Sequence, residues 1–471
     1  MYYRLWGLSP SYGYLDHPPM VAWWIAAGRF LAGDNALGIR LMSVLAVVVG
    51  TLALHRTALL LTDSRKLANR AAVWLQAMFL IGVGSVVITP DSPSVMFWSL
   101  SLWSAAELYK SENPRWLVAM GIFAGLGLQS KYSGLFFGAG FMLWIATDPG
   151  SRRWWRRPEL YLGGLLAVSI FAPVVYWNSQ HEWASFAKQF GRAVPKRLTL
   201  HYLGEFLGAE FGLLNPLMAI FAALPLIALI RRKFHNPRPV WFLLALSLPF
   251  TCYLLLHSFH DRVQANWPAP LFPAICLLAV IGSQRCETSD RSRIRGLVPY
   301  VAPVGIGLSL LILAMTVWPI PLLPPKLDIT SRTRGWETLS TEVNQQRIRN
   351  HASWIATDRY ALTGTLTYGA RDIKPRPQVV QITQRLRYAN LPAPPAKLIH
   401  APGLYVTLDR NDRSAGLRKF FDKVDLVGTI RRVVRQKTLG TYRLYRIDGP
   451  KDPALTFDTL SDQLTSEPPC W

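Results

Sequence analysis

Cysteine is scarce and scattered in this chain, with four in 471 residues. Cys252 and Cys276 lie in apolar runs, Cys286 in a basic loop and Cys470 near the end. That spacing excludes a disulfide framework and any recognised cysteine metal site. Charge is scarce too, at 17% of residues, and negative charge is scarcest, with 28 Asp and Glu against 51 Lys and Arg. In a soluble protein a net charge of +23 would point to nucleic acid. Here half the chain is hydrophobic and much of the basic excess sits in short loops between apolar runs. Membrane orientation and anionic lipid account for that charge, so membrane lipids are expected partners and nucleic acid is not. The opening residues carry no signal-peptide pattern, and no internal repeat of the transporter kind is visible.

What is present is length of apolar run. Ten stretches read as membrane spans, at roughly 37–61, 71–88, 93–109, 115–128, 132–147, 159–178, 203–230, 239–257, 268–283 and 297–318. A bilayer takes about 20 apolar residues per helix, so the fourth and fifth are short. The 18 Trp and 34 Pro suit a membrane protein, in which Trp anchors helix ends and Pro is tolerated. The loops at 63–70, 110–115, 148–158, 231–238 and 284–296 hold 17 Lys and Arg, far more than the opposite set. The positive-inside rule makes them cytoplasmic. Residues 1–36, 89–92, 129–132, 179–202 and 258–267, and the tail, then lie outside. Ten spans with both ends outside are unusual, so an N-terminal span is expected to be missing from this sequence; the rival reading is an N-out protein.

Two outside segments read as interfacial helices. Pro18-Pro19 opens one that carries Trp23, Trp24 and Phe30, and Trp183, Phe186 and Phe190 alternate with Lys188, Gln189 and Arg192 in the other. Beyond about 320 the apolar runs shorten and Pro-rich punctuation appears. Strand patterns near 354–356, 379–382, 404–408, 424–433 and 441–445, with helical stretches near 336–350 and 413–421, predict a small basic α/β domain over 321–471. The spans belong to a domain over 1–320.

The polar motifs gather on the basic-poor side. In Asp16-His17-Pro18-Pro19 an acid and an imidazole precede a helix N-terminus, a place that attracts phosphate. Asp16 could bind a divalent cation, orient His17 or cap the helix. Asp91, in Thr89-Pro90-Asp91-Ser92-Pro93, reads first as a helix cap, and second as a carboxylate for sugar hydroxyls or a metal. Lys131, in Gln129-Ser130-Lys131-Tyr132, snorkels to headgroups or grips a phosphate. Arg40 could snorkel, meet a phosphate, or pair with Asp16 or Asp91. Glu205 and Glu210 could pair with Lys196, Arg197 or Arg262. His181, His201, His257 and His260 show no recognised metal spacing.

Taken in order, Tyr2-Tyr3-Arg4-Leu5-Trp6, Gly13-Tyr14-Leu15-Asp16-His17-Pro18-Pro19-Met20, Ala36-Leu37-Gly38-Ile39-Arg40, Thr89-Pro90-Asp91-Ser92-Pro93, Gly127-Leu128-Gln129-Ser130-Lys131-Tyr132 and, more weakly, Asp261-Arg262-Val263-Gln264-Ala265-Asn266-Trp267-Pro268 form an ordered set over about residues 1–280. This set resembles a bacterial glycosyltransferase of family 39, the protein O-mannosyltransferase and aminoarabinose-transferase-like group of the GT-C class. The resemblance implies a polytopic α-helical membrane protein of GT-C type in the bacterial inner membrane, with its site and tail facing outward. It implies inverting transfer of a sugar from a polyprenyl-phosphate donor to the hydroxyl of an envelope glycan, lipid A or a protein. It places His17 and Lys131 at the donor phosphate and Asp16 near a cation site, with a divalent metal at Asp16; Arg40, Arg192 and Arg262 are further candidates for the donor phosphate, and Asp91 for sugar or cation. The family's catalytic carboxylate belongs to an Asp-Glu pair just before the match to Tyr2-Tyr3. It is expected upstream of Met1, and no catalytic residue is assigned within the chain. The alternatives are a flippase or transporter of lipid-linked material, and a non-catalytic homologue.

Overall fold

The computed structural model describes residues 1–192, 198–233, 236–288, 293–320, 323–325 and 327–466. Cys470, Lys196 and Arg197 lie outside the described residues. The chain divides into two compact units, Ser11–Leu311 on the one hand, and Met1–Pro10 with Ile312–Trp471 on the other.

In chain order the helices up to the unit boundary are α1 (Tyr2–Trp6), α2 (Met20–Ala32), α3 (Ala36–Thr62), α4 (Arg65–Gln76), α5 (Phe79–Gly82), α6 (Asp91–Ser111), α7 (Arg115–Leu128), α8 (Leu135–Thr147), α9 (Pro158–Ser179), α10 (Ala184–Gly191), α11 (His201–Leu213), α12 (Pro216–Ile230), α13 (Arg238–Ser258), α14 (Phe272–Glu287) and α15 (Val301–Val317). Local chemistry starts several of them. The Asn35 side chain accepts from the backbone N–H groups of Leu37 and Gly38 at the head of α3, and Ser64 accepts from Leu67 at the head of α4. The core of this unit runs through Trp74, Trp98, Phe137, Trp144, Phe221, Phe242 and Phe272. Ser94, Ser99, Ser101, Ser104 and Glu107 are buried polar residues of α6. Glu107 answers with an ion pair to Arg56 at 2.8 Å and a hydrogen bond from the Trp103 indole at 3.1 Å.

The ten apolar stretches all contain helix, but not as ten straight spans. Among the described residues, five helical segments are long and apolar enough to cross a membrane, at Ala36–Thr62, Pro158–Ser179, Arg238–Ser258, Ala269–Glu287 and Ile294–Val317. The stretch expected at 203–230 is broken into α11 and α12, bent by 107°, and that at 71–88 is bent by 68°. The physical reason for the first break is Asn215-Pro216. Proline removes a donor from the ladder and fits a first turn. Asn215 takes a left-handed φ of 71° and its side chain accepts from Leu217 N–H at 3.2 Å, which starts α12 afresh. The same amide donates to the Val301 carbonyl at 2.9 Å, so the bend is held from outside.

The second unit is built on a five-stranded sheet, β1 (Trp354–Thr357), β2 (Gln378–Gln381), β3 (Gly403–Leu408), β4 (Phe421–Val434) and β5 (Lys437–Pro450), in the order β2-β1-β3-β5-β4. β1 pairs in parallel with β2 and β3, while β5 is antiparallel to β3 and β4. Alternation along the strands splits the core. Trp354, Tyr405 and Phe457 face one side, and Ile355, Leu404, Val406 and Leu362 the other. Helices α16 (Trp336–Arg349), α17 (Tyr360–Gly369), α18 (Ser414–Leu417) and α19 (Phe457–Ser466) complete the unit. Only four residues of the helix expected at 413–421 are helical, because β4 begins at Phe421 and takes the rest. Helix α1 joins this unit through the Trp6 indole, which donates to the Arg387 carbonyl at 2.9 Å.

Candidate functional site

The site lies in the unit formed by Ser11–Leu311. Asp16 and His17 end the loop before α2, and Met20 N–H donates to the Gln129 carbonyl at 2.9 Å. That bond ties the head of α2 to the loop after α7, where Lys131 stands in extended backbone. The Lys131 ammonium donates to Asp91 Oδ1 at 2.6 Å, and the pair is largely buried. Asp91 Oδ2 accepts from the Asn266 amide at 2.6 Å and from Thr89 Oγ1 at 3.1 Å. Asp91 is thus no helix cap, since its carboxylate makes no bond to the backbone of α6. Nor does Lys131 snorkel.

A second lysine–carboxylate pair faces the first. Lys188 Nζ donates to Asp16 Oδ1 at 2.6 Å, and the Gln189 amide donates to the Asp16 carbonyl at 2.6 Å. Both come from α10, which Tyr132 docks by a hydrogen bond to Ser185 Oγ at 2.7 Å and by edge contact with Phe186. His17 lies between these charges. Loss of water contact, then the fields of Lys131, Arg192 and Lys188, bring its imidazole down to about 3, against the pull of Asp91. His17 is therefore neutral at neutral pH. Burial and Arg192 lower Lys188 to about 8, with Asp16 beside it favouring the charged form.

The structure brings Asp16, His17, Lys131, Asp91 and Arg192 together and leaves two residues out. Arg40 is exposed on α3 and has no hydrogen-bond or ion-pair partner among the described residues, so it pairs with neither Asp16 nor Asp91. Arg262 turns to Glu205, at 2.8 and 2.9 Å, on the exposed surface. Glu210 is buried, with neither carboxylate oxygen bonded among the described residues. Lys188 and Asn266 were visible only as part of an amphipathic stretch and a weak motif. No group of three His, Cys, Asp or Glu gathers among the described residues. Around Asp16 the neighbours are Lys188, and through His17 Lys131 and Arg192. This donor set is too cationic for a divalent metal, and the expected metal at Asp16 is not supported.

Beside the charged cluster is an apolar cavity of about 870 Å³, lined by Leu198, Leu200, Tyr253, Leu256, His257 and Phe259 among others. Arg192 lies within electrostatic reach of His17 on one side and of Tyr253 and His257 on the other. One arginine thus lies within electrostatic reach of both the charged cluster and the residues that line the apolar cavity.

A family profile described as dolichyl-phosphate-mannose-protein mannosyltransferase matches residues 16–177, the stretch that carries Asp16, His17, Asp91 and Lys131. Two crystal structures of ArnT from Cupriavidus metallidurans share the fold. The apo form and the form bound to undecaprenyl phosphate have TM-scores of 0.57 and 0.58, at 16% and 15% identity, each covering 92% of this chain and 88% of that one. The chain therefore has an ArnT-like membrane-helical fold and resembles the glycosyltransferases of family 39 and the GT-C class. Among individual proteins it is similar to the lipid A galacturonosyltransferase RgtD of Rhizobium johnstonii, 25% identical over 386 residues, which is 79% of this chain and 76% of the relative. It is also similar to the undecaprenyl phosphate-alpha-4-amino-4-deoxy-L-arabinose arabinosyl transferase of Pseudomonas paraeruginosa, 25% identical over 335 residues, 64% of this chain and 55% of that relative.

Proposed function

We propose that this chain moves a sugar from an undecaprenyl-phosphate donor to lipid A at the outer face of the bacterial inner membrane. The observation that carries the reading is the pair of lysine–carboxylate bridges, Lys131–Asp91 and Lys188–Asp16, set around a neutral His17 with Arg192 alongside. When the sugar leaves, negative charge develops on the donor phosphate. Fixed cations in a site poor in water stabilise that charge without reorganising. Lys188 is the more accessible of the two lysines and can exchange Asp16 for the phosphate. Arg192 offers a forked guanidinium suited to phosphate oxygens. His17 adds a neutral N–H donor. Lys131 is locked by Asp91, itself held by Asn266, which keeps the head of α6 and the α7–α8 loop in register. The prenyl tail fits the apolar chamber beside Arg192. The relatives' names, which specify galacturonic acid and 4-amino-4-deoxy-L-arabinose, support a lipid A acceptor and a modified sugar as cargo.

The test is a reconstituted assay with purified protein, an undecaprenyl-phosphate sugar and lipid A, read by mass spectrometry. Lipid A should gain one sugar increment for each undecaprenyl phosphate released. Lys188→Ala should lower the rate by roughly 100-fold, the scale of losing one fixed charge at a developing anion. Movement of intact donor across the bilayer, with its sugar–phosphate bond unbroken, would replace this reading with transport.

A further inference from the structure

The unit formed by Met1–Pro10 and Ile312–Trp471 carries 25 Lys and Arg against 14 Asp and Glu. Part of that excess is concentrated where the chain leaves its last apolar segment. Ile294–Val317, a 3-10 turn continued by α15, is 24 residues long and apolar enough to cross the roughly 30 Å of a hydrocarbon core. Its end is therefore at headgroup depth. The Met315 carbonyl, at that end, accepts from Thr330 Oγ1 at 3.1 Å and from Arg334 Nη1 at 2.9 Å. The turn between β4 and β5 is pinned to the same place. Lys437 Nζ donates to the Leu323 carbonyl at 2.8 Å, and Arg432 donates to the Ser331 and Arg334 carbonyls at 3.1 and 2.5 Å. Chain continuity and these bonds hold the hairpin tip at the bilayer boundary.

The surface there has the two faces that such a boundary demands. Trp318, Leu327 and Ile329 are each about two-thirds exposed, and Ile320 and Val433 about two-fifths. Apolar side chains this bare, beside cations, fit insertion among acyl chains. Between them is a small cavity of about 70 Å³ lined by Pro319, Ile320, Leu323, Pro325, Asp328, Arg334, Val434, Arg435, Lys437 and Leu439. Three cations and a single acid line it, and Asp328 is already paired with Arg334. The turn itself carries a third observation. Arg435 and Gln436 both take left-handed φ, 47° and 65°. A two-residue hairpin turn of this kind prefers Asn-Gly, because Cβ crowds the carbonyl oxygen at positive φ, a clash that Gly lacks and Asn offsets with local hydrogen bonds. A long cation is kept at the tip against that preference, and Arg435 is exposed, with no hydrogen-bond or ion-pair partner among the described residues.

We infer that the β4–β5 turn, with Arg334, Arg435 and Lys437, is a binding site for the phosphate headgroup of an anionic glycerophospholipid and clamps this unit to the membrane surface. The inference stands independently of the transfer reaction. Each cation facing an anionic surface contributes roughly a fivefold change in binding.

The experiment uses the full chain in lipid nanodiscs, with hydrogen exchange read over residues 430–440. Amides at the tip should exchange several-fold more slowly with phosphatidylglycerol than with phosphatidylcholine. The double variant Arg435→Asn/Gln436→Gly supplies the turn its preferred residues while removing the charge. It should keep the hairpin folded and lose the lipid-dependent slowing, and Lys397→Gln, the same charge change elsewhere on the unit, should leave it intact. Equal exchange in the two lipids overturns the proposal. So does slowing that survives in the double variant, or slowing reproduced in phosphatidylcholine by inorganic phosphate alone, which would make this a site for free anions.

Discussion

Lys188 and Lys131 make the same bond in the same unit, yet they are set up for different duties. Lys131 has its carboxylate fixed from two further sides by Asn266 and Thr89. Lys188 has burial and Arg192 working against its charge, with Asp16 as its ion-pair partner among the described residues. A lysine lowered to about 8 is fully cationic below pH 7 and loses its proton as pH climbs through 8. If Lys188 meets the donor phosphate, KM for the donor should rise as pH passes 8, while Lys188→Arg, which stays charged, should flatten that rise. His17, held near 3, is neutral on both sides of the window, so His17→Gln should leave the shape of the profile between pH 5 and 7 unchanged. A lost inflection in that range in His17→Gln would show that the imidazole titrates after all. None of these distinctions was legible in the sequence. Asp16, His17, Asp91 and Lys131 stood out as polar residues in an apolar setting. Their pairing joins positions 40 and 172 residues apart, and no local spacing encodes that. Arg40 and Arg262 looked equal to Arg192 for the same reason: charge type is visible in a sequence, the side chain's neighbours are not.

At the scale of elements, apolar run length located the helices well, because burial of a helix in lipid is a property of composition. It failed where backbone chemistry overrides composition, as at Asn215-Pro216, whose turn signal was outweighed by the surrounding leucines and alanines. The α7–α9 crossing shows a second such limit. A Cβ on Gly121 would meet the Gly163 carbonyl oxygen at 2.2 Å, and one on Gly163 would meet the Leu117 carbonyl at 2.4 Å. Two helices approach here on backbone alone, the small-residue packing that lipid favours. Gly163→Val should therefore force α9 from α7, at about 1–3 kcal/mol of overpacking, and lower the melting temperature in detergent by several degrees. The exposed Gly164, one residue on, has open space around it, and Gly164→Val should cost far less. Equal losses at the two positions would mean that helix propensity, and not the crossing, sets the stability. Because α7 leads straight into Lys131, the same Gly163 variant should also weaken transfer.

For the molecule as a whole, orientation decides whether the charged pole can meet its acceptor. The 17 Lys and Arg in the loops at 63–70, 110–115, 148–158, 231–238 and 284–296 argue for a cytoplasmic side, since membrane insertion retains basic loops there. Residues 16, 17, 91, 131 and 188 then belong to the opposite face, the one on which the proposed transfer to lipid A requires them. The argument is independent of the site's geometry and can be checked separately. In a chain with its native cysteines changed to serine, Gln180→Cys lies on an exposed loop next to α10, and Ser111→Cys ends α6 on the basic side. A membrane-impermeant maleimide added to intact spheroplasts should label position 180 and spare position 111 until the membrane is opened. The reverse pattern would turn the lysine–carboxylate pairs toward the cytoplasm. The pole could then still hold a polyprenyl phosphate, but the hydroxyl waiting beside it would be a cytoplasmic one, and the choice of lipid A as acceptor would fall while the enzyme class stood.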